Sequence, residues 1–193
     1  MTWALRRTAI SSSNMPVSLT DVKEHLNIAL SDTSQDDKIT SLIIAATERI
    51  ERDIDRITIS GTFVADGPSF ENPMILNIKP VTAVNQITYI DTDGVSQTLD
   101  PSLWRYVASS QKIVPAVNTE FPSVYAGLPD AVNIAFSAGY GLDAECQPRL
   151  IQAAIKLTVG KYFYDPAQES SALHSSESAY RHIVNNLMRS SYP

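Results

Sequence analysis

The sequence predicts an α+β fold: a small helical bundle, with two helices from each end of the chain, and an antiparallel β-domain inserted between the pairs. Three observations predict it. Apolar residues recur at helical spacing through residues 17–56, switch to alternation between 57 and 140, and return to helical spacing after Gly139-Tyr-Gly141. The expected organisation is an N-terminal extension over 1–16, a bundle from 17–56 and 147–190, and an inserted β-domain over 57–146.

The first helix is short and sharply marked. In Val17-Ser-Leu-Thr-Asp-Val-Lys-Glu-His-Leu-Asn-Ile28, Ser18 can serve as N-cap, and Asp21 three residues on supplies a capping-box-like acid at the positive end of the dipole. Leu19, Val22 and Leu26 follow helical spacing, but the segment runs out at Ser31-Asp32. Helices shorter than about 12–15 residues are marginal in water, so this one needs a neighbour to lean on.

The second helix provides that neighbour. Ser34 with Asp37 repeats the capping pattern, and Ile39, Leu42, Ile43, Ala46, Ile50 and Ile54 mark one face. Glu48–Arg52 and Arg49–Asp53 are opposite charges four apart. The helix should span about 35–55, roughly 30 Å at 1.5 Å per residue.

From Ile57 the residues become β-branched and alternate. Ile57–Val64, Ile75–Ile78, Val84–Ile90, Val95–Leu99, Trp104–Val107, Lys112–Val114 and Ala131–Phe136 read as strands, the third and fourth forming a hairpin about Asp91-Thr-Asp-Gly94. Eight prolines (68, 73, 80, 101, 115, 122, 129 and 148) fall in this part or its connections, which suits short strands joined by turns.

Helix returns with Pro148 at a natural N1 position, followed by Leu150, Ile151, Ala154, Ile155, Thr158, Val159, Tyr162 and Phe163. This helix is apolar nearly all round and belongs at the bundle centre. Asp165-Pro166 ends it. After the polar loop from Ala167 to Ser176, Tyr180, Ile183, Val184, Leu187 and Met188 stripe a last helix.

Composition excludes several functions. With 44% hydrophobic and 19% charged residues the chain has ordinary globular chemistry, and no apolar run approaches the ~18 residues of a membrane span. Arg6-Arg7 is followed by Ser11-Ser12-Ser13 rather than an apolar core, so no signal peptide is predicted. A single cysteine, Cys146, rules out an intramolecular disulfide framework and fits a reducing compartment. Residues 57–147 carry three bases and nine acids, and residues 148–193 carry five bases and three acids. A protein gripping DNA through its phosphates needs clustered Lys and Arg, and no such cluster is present.

Catalytic and metal patterns are also missing. A calcium loop opening at Asp91 needs glycine sixth and glutamate twelfth, whereas glycine is fourth and the twelfth residue is Ser102. Cys146 precedes a helix start that could lower a thiol pKa, but His25, His174 and His182 sit in unrelated segments with no base motif. His174 and His182 lack the i,i+4 spacing of a helical zinc pair. Gly139-Tyr-Gly141 lacks the Lys-Ser/Thr of a phosphate loop and reads as a hinge from strand to helix. No enzyme, cofactor or metal is predicted.

In order along the chain, Pro16–Ile28, then Asp36-Asp37, then Leu42–Glu51, resembles the opening of the phage head–tail connector proteins, also called adaptor or head-completion proteins of long-tailed phages. Members with a β-insertion carry stretches similar to Val84–Pro101 and to Phe136–Gly141 followed by a Pro-started helix. The resemblance spans about 16–190. It implies a structural virion protein at the head–tail junction, made in the host cytoplasm. Such a protein forms a homo-oligomeric ring, usually of twelve subunits, under the portal protein. It extends the DNA channel without sequence-specific binding and offers its far face to the next neck, stopper or tail-completion protein, with no membrane contact. An acidic β-domain would line that channel or face outward. The alternative is a free-standing protein- or carbohydrate-binding β-module with helical flanks.

The last helix is expected to be an assembly element. Tyr180, Arg181, Ile183, Val184, Leu187, Met188 and Arg189 form its candidate partner or oligomer interface, an amphipathic stripe on a polar tether in the only net-positive part of the chain. The same stripe could instead close the subunit's own core.

Overall fold

A computed structural model describes residues 4–7, 14–164 and 174–189, and divides the chain into two compact units. One is helical and takes the described residues from Asn14 to Ile59 and from Tyr140 onward. The other is β and takes residues 60–139 with a strand from the N-terminus. The α+β class read from the sequence is the class observed.

In the helical unit, α1 (Leu19–His25), α2 (Asp36–Ile54), α3 (Arg149–Tyr164) and α4 (His174–Arg189) share one core. Ile39, Ile43, Ala46, Ile50 and Ile54 of α2 are buried with Ile151, Ala154, Ile155 and Val159 of α3, and Val17, Val22 and Leu26 join them from α1 and its flanks. Periodicity dictates this: residues at i, i+4, i+7 and i+11 share a face, and that face is apolar on both long helices.

The capped start of α1 is as expected, with Ser18 Oγ accepting from the Asp21 amide at 3.0 Å. The short helix is held by more than its apolar face. Lys23 is buried, and its ammonium donates to Asp32 O at 2.6 Å, Leu30 O at 3.2 Å and Asp36 Oδ1 at 2.8 Å. One lysine thereby satisfies two loop carbonyls and ties the α1–α2 connection to the first turn of α2.

Ser34 does not cap α2. Gln35 occupies the N-cap without a side-chain hydrogen bond, while the Ser34 amide donates to Asp32 Oδ1 in a local Asx turn. Asp36 and Asp37 leave the helix start electrostatically favourable without that cap. At the other end Asp55 adopts a left-handed conformation, φ 54°, that a short polar residue tolerates, and the Arg56 amide closes onto Glu51 O. Glu51 then holds Thr58 by both its amide and its hydroxyl, at 2.8 and 2.7 Å. The Tyr140 amide donates to Thr58 O at 3.0 Å, and Ile59 bridges Gly141 in parallel. These bonds keep both crossings of the chain in the helical unit, inside the expected 57–146 boundary.

Before α3, a Cβ at Gly141 would overlap Cys146, which is why glycine occupies that turn. The carbonyl of Pro148 accepts from Ile151 and Gln152, so the proline caps α3 rather than opening it.

The β unit holds two antiparallel sheets. One has the order β1 (Ala4–Arg7), β2 (Gly61–Gly67), β8 (Val132–Ala138), β4 (Val81–Ile90) and β5 (Ser96–Thr98). The other runs β3 (Met74–Ile75), β7 (Lys112–Pro115), β6 (Trp104–Val107). On β8 the buried residues Val132, Ile134, Phe136 and Ala138 alternate with less buried ones, as a strand with one face on a core requires. Phe136 pairs in register with Phe63 of β2, their rings stacked at 5.7 Å. The β4–β5 hairpin forms as expected, its turn closed by Asp91, whose Oδ1 accepts from the amides of Asp93 and Val95.

The sequence reading differs from the structure at three strands. The segment from Ile57 joins the sheet only at Gly61. The β3 ladder stops at Ile75 rather than Ile78. Ala4–Arg7, placed in an extension, pairs with Phe63–Asp66 at a sheet edge.

Candidate functional site

The candidate site is the seat of α4 on α2 and α3. Its stripe is Tyr180, Val184 and Leu187 at positions i, i+4 and i+7, and all three are buried in the core of the helical unit, with Ile183 packed against them. This differs from the expectation that gave all seven residues to a partner. The apolar groove between α2 and α3 lies in the same unit, and burying the stripe there removes it from water without any partner. Arg181, 75% exposed at its side chain, and Met188, 60% exposed, face outward. The side chain of Arg189 lies outside the described residues.

A charged hub fastens the helix. Glu177, one turn before Tyr180, accepts from Arg49 Nη2 of α2 at 2.9 Å through Oε1 and from Lys161 Nζ of α3 at 2.9 Å through Oε2. Arg181 Nε approaches Oε1 at 3.5 Å from the solvent side. Burial alone would raise the Glu177 carboxyl, but Lys161 and Arg49 outweigh it and hold the group below the ordinary range.

Arg49 also stacks over the Tyr180 ring at 4.4 Å, and Tyr180 Oη donates to Asp53 Oδ2 at 2.6 Å. Burial, then the Asp53 hydrogen bond, push the Tyr180 phenol well above its ordinary value, so it stays a neutral donor. Residues one turn apart on α4 thus meet residues one turn apart on α2.

The residues weighed for chemistry are not brought together. Cys146 is exposed, and its thiol is pushed up by a hydrogen bond to Asp143, by burial and by the charges of Asp143 and Glu145, the reverse of an activated nucleophile. His25 lies on α1, where burial and Lys156 lower its pKa, and His182 is exposed on α4. Among the described residues no group of three or more His, Cys, Asp or Glu could hold a metal ion, and no helix is long and apolar enough to cross a membrane.

Sequence reasoning missed Glu177 and Lys23. The Glu177–Arg181 spacing of four was available as a weak signal. Arg49 and Lys161 are remote in sequence, and nothing local announces them.

What remains is a bundle with an inserted β unit, a fastened last helix and no catalytic constellation among the described residues. Residues 16–99 match the phage gp6-like head-tail connector protein family. The match takes in α1, α2 and the strands β2 to β5, and it agrees with the family read from the sequence. Three solved structures share the fold. A chain in the virion of a native gene transfer agent particle has a TM-score of 0.77 at 20% identity, covering 95% of this chain and 94% of its own. A chain in the neck of the empty particle, computed with C6 symmetry, has a TM-score of 0.74 at 20% identity, covering 92% and 94%. A chain in the neck of the native particle, computed with C12 symmetry, has a TM-score of 0.74 at 21% identity, covering 95% and 94%. No match was found among curated proteins.

Proposed function

We propose that this protein is a structural connector of a phage-like particle, present in the virion neck at the head–tail junction and not an enzyme. The observation that carries the reading is the coincidence of two independent likenesses. The connector family matches residues 16–99, and chains from a particle neck share the fold over more than nine-tenths of this chain. The chain works as a ring of about twelve copies, a number supported by the twelvefold symmetry used for one of those necks. One face of the ring meets the portal protein, the other the next neck or tail-completion protein, and DNA passes through the centre.

The last helix supports docking with its outward face. Arg181 and Met188 face outward and are open to a partner, while Tyr180, Val184 and Leu187, with Ile183 packed against the same core, secure the helix to its own bundle. Truncation after Asp165 tests this division. A shortened protein that stays folded but no longer joins portal-containing particles supports an assembly role. A protein that unfolds outright assigns the helix to the core alone.

A further inference from the structure

In the β unit, the segments 69–72 and 119–124 wall an open groove of about 610 Å³, within the size range of sites that hold a small molecule or a few residues. Its chemistry is specific. Phe70 and Phe121 stack at 4.8 Å, Pro115 and Pro122 extend the apolar surface, and Glu71 and Glu120 supply carboxylates. Tyr89 meets Phe70 edge-on at 5.6 Å. Aromatic faces flanked by proline and acid suit a segment carrying a cation together with flat or pyrrolidine rings.

We propose that this groove seats residues 189–193, Arg-Ser-Ser-Tyr-Pro, of a second copy of this chain. The segment has the complementary groups: a guanidinium for Glu71 and Glu120, a phenol for the stacked rings and a proline for the apolar wall. It belongs to the only net-positive part of the chain, and the groove belongs to the most acidic part, residues 57–147. Charge complementarity of this kind favours encounter and fixes register.

The inference rests on the ring reading for its choice of a second copy. A closed ring of identical chains repeats a head-to-tail contact, which needs two different complementary patches on each chain. A groove in the β unit and a segment following α4 are two such patches.

Mixing singly substituted chains tests it. Ser123→Cys, at the groove, is combined with Ser191→Cys, which keeps Arg189, Tyr192 and Pro193, both in a Cys146→Ser background, and the mixture is mildly oxidised at high protein concentration. The expected product is a disulfide-linked dimer of the two variants. Its yield should fall at least fivefold when the groove chain also carries Glu120→Gln, or when salt is raised to screen the charges. No linked dimer, or a yield indifferent to both Glu120→Gln and salt, overturns the proposal. So does a chain carrying both cysteines that closes only on itself. Particle images of the same samples separate the two claims: rings without the link reject the groove contact and keep the ring, while a charge-dependent link without rings keeps the contact and counts against the ring.

Discussion

Arg49 of α2 donates to Glu177 of α4 at 2.9 Å across a separation of 128 residues, and its guanidinium also covers the Tyr180 ring. One side chain therefore answers both the charge and the aromatic face of the last helix. Glu177→Gln keeps the shape and removes the charge, and it should lower unfolding free energy by about 2 kcal/mol, in the range for hydrogen bonds to charged groups. Denaturant unfolding of the two proteins at neutral pH reads this directly. Equal midpoints would mean the hub is idle.

The same hub gives a pH dependence of defined sign. The folded Glu177 carboxyl lies below its ordinary 4.5, so the folded state favours the ionised form. Its stabilisation is complete above that ordinary value and is lost as pH falls through the lower folded value. The gap between wild type and Glu177→Gln should thus narrow below about pH 4.5. A gap that is constant from pH 7 to pH 3 contradicts the assignment.

The bundle core makes a third prediction. Ile43 and Ile155 are fully buried in the cluster shared by α2 and α3. Ile43→Ala or Ile155→Ala should cost about 2–5 kcal/mol, since each leaves a cavity as well as losing transfer energy. Calorimetry or denaturant titration supplies the value, and a loss below about 1 kcal/mol would show that the site is not packed as described.

Much of this architecture is legible in the sequence, and the misses share a cause. Helical spacing located α2, α3 and the stripe of α4, and Ser18 announced α1, because these signals are carried by residues within a turn of one another. Ser34 looked like a cap equal to Ser18, yet Asp32 captured its amide first. Ala4–Arg7 offers only four residues, and its partner strand lies beyond two helices in the sequence. The seat of α4 was half legible. The stripe could be read, but whether it covers its own bundle or a partner is decided by Arg49 and Lys161, which no local pattern ties to Glu177.

Lys23 makes a fourth prediction. Its ammonium is buried among two carbonyls and Asp36, so Lys23→Met leaves those acceptors unsatisfied while preserving much of the stem's packing. A loss of about 1–3 kcal/mol is expected. Faster amide exchange should accompany it across residues 26–36, and unchanged exchange there would remove the lysine from its role as the tie of that loop.

The central claim is the ring at the neck, and electron microscopy of particles carrying an affinity tag on this chain tests it most directly. The account predicts label confined to the head–tail junction and a closed ring of about twelve copies on symmetry-resolved averaging. Label on the capsid shell or along the tail, or a single copy at the junction, would contradict it.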